Sequence, residues 1–147
     1  MVAKGLLAAG YVHLNLDDGF IAPKAKEALL PDGTQSQLLP DPGGRLPNGS
    51  LYPNPIKFPA GMGALSAYMA SKGLSLGLYT ARGRITCCGL AGSLEHEQED
   101  ARRFAVDWNV GYLKVDSCHG TPPDPKGAKP PHCPESCCRI NVKIAQA

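Results

Sequence analysis

The sequence predicts an α/β fold built on parallel strands, and two features carry that prediction. A helical stretch, a glycine and a short apolar strand ending on a polar residue recur three times. Within those strands apolar and polar residues alternate little, as expected of strands covered by helices. Two architectures use this unit, the doubly wound sheet and the eight-stranded barrel. A doubly wound nucleotide-binding sheet needs a glycine-rich phosphate loop after its first strand, where this chain has Asp17-Asp18-Gly19-Phe20. The prediction is therefore an α/β fold in the form of a partial TIM-type (β/α)8 barrel. About three βα units are present, since a complete barrel takes about 250 residues.

The first unit is Met1 to Ala9 as a helical stretch, Gly10, and the strand YVHLNL ending on Asp17 and Asp18. A long loop follows, from Gly19 to about Pro59, with no dependable period and with Pro42-Gly43 and Asn48-Gly49 as its strongest turn pairs. Loops of this length tend to be functional, and in a barrel the loops after strands form the mouth, so this one is expected to wall the pocket. The second unit is Met62 to Lys72, with Leu65, Tyr68, Met69 and Lys72 at helical spacing. Gly73 stands in the C′ position, and the strand LSLGLY ends on Tyr79. In the third unit Ser93 is expected to cap a helix reaching about Trp108, with Ala101, Phe104, Ala105 and Trp108 on one face. Gly111 then precedes the strand YLKVDSC, read as buried apart from Lys114, Asp116 and Cys118, which share a face two residues apart.

Composition bounds the function. Of 147 residues, 43% are apolar and 19% charged, which suits one globular domain with a real core. The 15 basic and 13 acidic residues are scattered, with no run dense enough to track a phosphate backbone, so nucleic acid is not an expected partner. No apolar stretch reaches the roughly 20 residues that span a bilayer, and no membrane association is expected. The N-terminus passes straight into patterned sequence and is read as fold, not as a signal peptide. Six cysteines, at 87, 88, 118, 133, 137 and 138, lean toward an oxidising compartment.

Parallel strands bring their C-terminal ends to one rim, where barrel enzymes keep their active sites. Asp17 and Asp18 end the first strand, Tyr79 the second and Asp116 the third. Asp-Asp-Gly also reads as a plain turn. Asp116 and Lys114 on one strand face are harder to explain structurally, because burying an ion pair costs desolvation. Carboxylates around a mouth suit either a divalent cation or a sugar ring held by its hydroxyls while one carboxylate attacks the anomeric carbon. Lys114 argues against the metal and favours an ionised Asp116, as a nucleophile requires. No metal and no cofactor are expected.

The series NLDDGF, FPAGMGAL, SKGLSLGLYT, TCCGLAGSLEHE and DARRFAVDWNVGYLKVDSC resembles the α-galactosidase (melibiase) family of retaining glycoside hydrolases, in order and approximate spacing from about Gly5 to Cys118. The resemblance implies a catalytic (β/α)8 barrel acting on α-galactoside oligosaccharides or glycoconjugates, with Asp116 as nucleophile. It implies substrate binding by Asp17, Asp18, Tyr79 and Lys114, and a Cys87–Cys118 disulfide tying two mouth loops. Cys88 has no assigned partner. Phe20 stands where the family has tryptophan and is expected to serve as an aromatic wall, Trp108 is assigned to the core, and His13 to a strand face against a helix. His96 is given a structural role at a helix start.

Two regions are thus expected: a partial catalytic barrel over residues 1–118, and a Pro/Cys-rich tail over 119–147 with a strand-like run at Ile140 to Ile144. His132, Cys133, Cys137 and Cys138 offer four ligand types, but adjacent cysteines without a second spaced pair do not make a zinc site. The acid/base carboxylate is not found in the chain, so the fragment is expected to be inactive alone, and a secreted or vacuolar/lysosomal setting is expected for the whole protein. Two alternatives remain open: a non-catalytic galactose-binding barrel remnant, and an α-N-acetylgalactosaminidase.

Overall fold

The structure is a computed structural model that describes residues 2–23, 43–118 and 142–145. Its centre is a sheet of β1 (His13–Leu16), β2 (Ser75–Ala81), β3 (Tyr112–Asp116) and β4 (Val142–Ala145), in the order β3-β2-β1-β4. β1 and β3 flank β2 and both run parallel to it, with Asn15 opposite Gly77 and Lys114 opposite Tyr79. These are the three parallel strands expected from the repeats. β4 pairs with the other edge of β1 in the antiparallel sense.

Alternation along the strands gives the sheet two distinct faces. Leu14, Leu16, Leu76, Leu78 and Leu113 point to the helical side, while His13, Asn15, Asp17, Gly77, Tyr79, Tyr112, Lys114 and Asp116 point to the other. α1 (Gly61–Ala70) covers the apolar side through Met62, Ser66 and Met69, a spacing of four and three residues that forms one stripe. Its end is set by Gly73, at φ +74°, where Gly73 N–H bonds Ala70 O and Leu74 N–H bonds Met69 O. That double bond is the Schellman arrangement, which a residue without Cβ adopts at no steric cost.

α2 (Glu97–Arg102) starts three residues later than expected, with His96 and not Ser93 in the cap position. Ser93 does not cap it; its hydroxyl lies 2.7 Å from both Thr80 Oγ1 and Asp100 Oδ2, knitting β2 to the helix. Three acidic residues in the first turn, Glu97, Glu99 and Asp100, suit the positive end of the helix dipole. The helix then widens into a π turn over Arg103–Asp107, closed by Trp108 N–H to Arg103 O at 3.0 Å. The widening buries Phe104 and Trp108 together and leaves Ala101 and Ala105 exposed, so the predicted four-residue face is only half correct. Trp108 is core, as expected, with Phe104 at 5.6 Å between ring centroids and Phe20 edge-on at 6.5 Å.

Other expectations fail for identifiable reasons. The first nine residues yield a single 3-10 turn, Val2–Lys4, with no buried residue. Glycines with positive φ at 5 and 10 interrupt the segment, and so short a helix without an apolar seat is unstable. β3 is not a buried strand: Tyr112 is 48% and Val115 56% exposed, because β3 is an outer strand of the sheet among the described residues. The described part of the long loop after β1 folds back through isolated bridges, Ile21 with Pro53 and Arg45 with Leu51, and the Asn48-Gly49 turn forms with Ser50 N–H on Asn48 Oδ1. The four candidate zinc ligands from His132 to Cys138 lie outside the described residues.

Candidate active site

The parallel register places the chemistry at one end of the sheet. Asp17 leaves β1, Tyr79 lies in β2 beside Lys114 of β3, and Asp116 closes β3 opposite Ala81. Lys114 Nζ donates to both carboxylate oxygens of Asp17, at 3.1 and 3.3 Å, and stands 3.5 Å from Asp116 Oδ2. The ammonium also lies 4.8 Å from the centroid of the Tyr79 ring, close enough for a cation–π contact. One cation therefore holds two carboxylates from strands that are not neighbours. Asp116 keeps Oδ1 on its own loop through Ser117 N–H at 2.7 Å, which leaves Oδ2 turned toward the lysine.

Asp18 is arranged differently from Asp17. It is buried, Oδ1 accepts from Gly19 N–H, and Oδ2 accepts from Cys88 N–H at 2.8 Å. Its carboxylate thus ties the loop after β1 to the loop after β2. The next residue along, Cys87, is disulfide-bonded to Cys118, with Cα atoms 5.1 Å apart, as the resemblance implied. Cys88 takes no part in that bridge.

Tyr79 is packed under this bridge, with its hydroxyl 3.4 Å from Sγ of both Cys87 and Cys118. Burial raises its pKa well above the ordinary phenol value, and the negative charges of Asp18 and Asp116 push it further in the same direction. The phenol is accordingly a neutral hydrogen-bonding group at any physiological pH.

Below these groups Asn15, Tyr112 and Lys114 line a cavity of about 140 Å³. A Cβ at Gly77 would overlap the Asn15 carboxamide and displace it. His13 stands on this same face, with its ring 6.2 Å from that of Tyr112, so it faces the interior and not a helix as expected. Phe20 is completely buried against Trp108, so it belongs to the core and not to the wall of the site. His96 precedes α2 and supplies the carbonyl that accepts Asp100 N–H, a helix-start position as expected.

A larger hollow of about 490 Å³ lies between the loops after β1 and β2, lined by Arg45, Arg84, Leu94 and His96. Its two guanidinium groups are already paired, Arg45 with Asp100 and Arg84 with Glu95. The grouping of Cys87, Cys118 and Asp116 resembles a metal-ligand cluster by distance alone, but its sulfurs are spent in the disulfide. Sequence reasoning missed two features here: the Lys114 bond to Asp17 and the Asp18 tie to Cys88. Both join residues 70 or more positions apart, and no local pattern signals them.

Parallel βα units whose strand ends gather carboxylates around a lysine have the arrangement of the active-site mouth of a (β/α)8 barrel. The profile described as Alpha galactosidase A matches residues 1–128, and the chain belongs to the α-galactosidase (melibiase) family. An alpha-galactosidase of Coffea arabica is 41% identical over 131 residues, covering 88% of this chain and 29% of its own length. Alpha-galactosidase A of Aspergillus niger is 39% identical over 119 residues, or 81% of this chain and 18% of its own. Among solved structures, the Saccharomyces cerevisiae α-galactosidase with raffinose superposes with a TM-score of 0.61 at 32% identity, covering 78% of this chain and 20% of that one. Alpha-galactosidase I of Mortierella vinacea gives 0.63 at 29%, covering 80% and 24%. The chain thus spans less than a third of the length of these relatives.

Proposed function

We propose that this chain carries the nucleophile half of a retaining α-galactosidase, a glycoside hydrolase that removes terminal α-D-galactosyl residues from oligosaccharides or glycoconjugates. The observation that carries the reading is the Lys114 ammonium set between Asp17 and Asp116 at the strand ends. At 3.5 Å the ammonium is ion-paired with the carboxylate that acts as nucleophile in this reading. Asp116 Oδ2 attacks the anomeric carbon, the bond to the leaving oxygen breaks through an oxocarbenium-like transition state, and a covalent glycosyl-enzyme forms. A second carboxylic acid, about 5 to 5.5 Å from the first, gives its proton to the leaving oxygen and then activates the water that releases the sugar.

Asp17, Asp18, Lys114 and Tyr79 hold the sugar in this reading, the last as a neutral phenol. Asp18 has both oxygens engaged by backbone N–H groups and offers a substrate only its remaining lone pairs. Neither aspartate is free to be the acid, so the acid/base lies outside these residues and the 147-residue chain is inactive by itself. Residues 1–118 are the catalytic piece, and within the 119–147 tail Val142–Ala145 joins its sheet as β4. The Cys87–Cys118 bridge supports a reading in which the protein works in an oxidising compartment, secreted or vacuolar/lysosomal.

Incubating the purified chain with an aryl α-galactoside tests this directly. No release of the aryl group is expected. Turnover that disappears in Asp116→Asn would overturn the proposed division of the machinery. In a longer protein that includes the missing strands, Asp116→Asn is expected to abolish turnover while galactose binding persists; full turnover by that variant would remove Asp116 from the nucleophile role.

A further inference from the structure

An all-parallel barrel gives each strand a parallel neighbour on both edges. β1 has one such neighbour, β2, but its other edge is filled by β4 running the opposite way, with Leu16, Asn15, Leu14 and His13 opposite Val142, Lys143, Ile144 and Ala145. All four residues of β1 are matched, so no backbone group of that edge within the strand is left open for another chain segment. β4 also lies beyond the residues that match the family, which end at 128. It is an addition to the family pattern placed where the pattern calls for something else.

From this pairing we propose that β4 is an intrachain edge guard. It shields β1 against strand addition from other molecules, and it must leave before a parallel strand can close a barrel on that edge. An uncovered edge strand presents a row of N–H and C=O groups that templates association, and covering it from within the same chain removes the template. The direction of β4 makes its occupancy and barrel closure mutually exclusive, because one edge cannot hold two strands. The inference rests on strand pairing alone and stands whether or not Asp116 is a nucleophile.

Hydrogen exchange on the full chain tests it. Successive residues of a strand direct their N–H groups to opposite edges, so the double substitution Lys143→Pro with Ile144→Pro removes at least one bond to β1 whichever residue points inward. The β1 amides not directed at β2 are expected to exchange about tenfold faster or more, while Leu76 to Tyr79 keep their protection. Sedimentation should show the variant associating at lower concentration than the parent, whose β1 edge stays covered. Unchanged β1 exchange would overturn the proposal.

A cross-link provides a test independent of how the proline variant folds. Directly opposed antiparallel residues have Cα atoms about 4.5 to 5.5 Å apart, within disulfide reach. Leu14→Cys with Ile144→Cys is expected to oxidise to an intrachain link, and the offset pair Leu14→Cys with Val142→Cys is not. Equal linking of both pairs, or of neither, would show that β4 does not hold this edge.

Discussion

Lys114 is bonded to Asp17, 97 residues away in sequence, more closely than to Asp116, two residues away. The bond spans the sheet from β3 past β2 to the end of β1, so the ammonium fastens the first and third strands as well as polarising the site. Lys114→Met should therefore loosen the rim and not merely remove a charge. Hydrogen bonds to charged groups contribute about 1.5 to 3 kcal/mol, and solvent reaching the lysine reduces that here. A loss of about 1 kcal/mol in urea unfolding is expected, and no change in stability would mean that the pair contributes only to function.

Arg45 and Asp100 make the opposite kind of pair. The guanidinium bonds both carboxylate oxygens at 2.8 and 2.6 Å, and the side chains are only 10% and 2% exposed. Removing one partner strands the other charge in the interior, which costs about 3 to 5 kcal/mol. Asp100→Ala is expected to fall in that range by denaturant titration. Arg84→Ala, which breaks the exposed pair with Glu95, should cost less than about 1 kcal/mol. Similar losses for the two variants would contradict the burial argument.

Cys87 and Cys118 are separated by 31 positions, and closing a loop of that size stabilises by about 3 to 4 kcal/mol in the chain-entropy account. Cys118→Ser should lower the unfolding free energy by that order and, having no bridge to reduce, should be insensitive to added reductant where the parent is not. Cys88→Ser, which leaves the bridge intact, should keep the reductant sensitivity of the parent.

Tyr79 gives a pH signature. Its folded pKa is raised while the unfolded phenol titrates near 10, so above that pH the unfolded chain releases a proton that the folded chain retains. The contribution is intact below about pH 10 and is lost as the pH rises from there, by at most about 1.4 kcal/mol per unit. Tyr79→Phe should flatten that part of the alkaline stability curve measured against the parent. An unaltered slope would mean that the phenol does not keep its proton in the folded state.

What could be read from sequence was whatever has a period or a turn signal. Gly73 after α1, the Asn48-Gly49 turn and the three strands were legible because a glycine of positive φ and a short apolar run leave local marks. The start of α2 was not, because Ser93 looks like a cap until the hydroxyl of Thr80 and the carboxylate of Asp100 compete for it. The exposure of Val115 was also hidden, since an apolar strand reads the same with or without a helix over it. At the site, residue types at strand ends were visible, whereas the partners of Lys114 and Asp18 depend on how strands far apart in sequence lie side by side.

The contact between Asp18 Oδ2 and Cys88 N–H sets a rule for what position 88 can hold. Two braces meet on neighbouring residues there, a hydrogen bond to the loop after β1 at residue 88 and a covalent bond to the loop after β3 at residue 87. A single peptide unit thus fixes how far apart three rim loops can stand. The hydrogen-bonded brace asks nothing of the side chain at 88, only a backbone hydrogen, so it survives exchange to nearly every amino acid and is barred to proline.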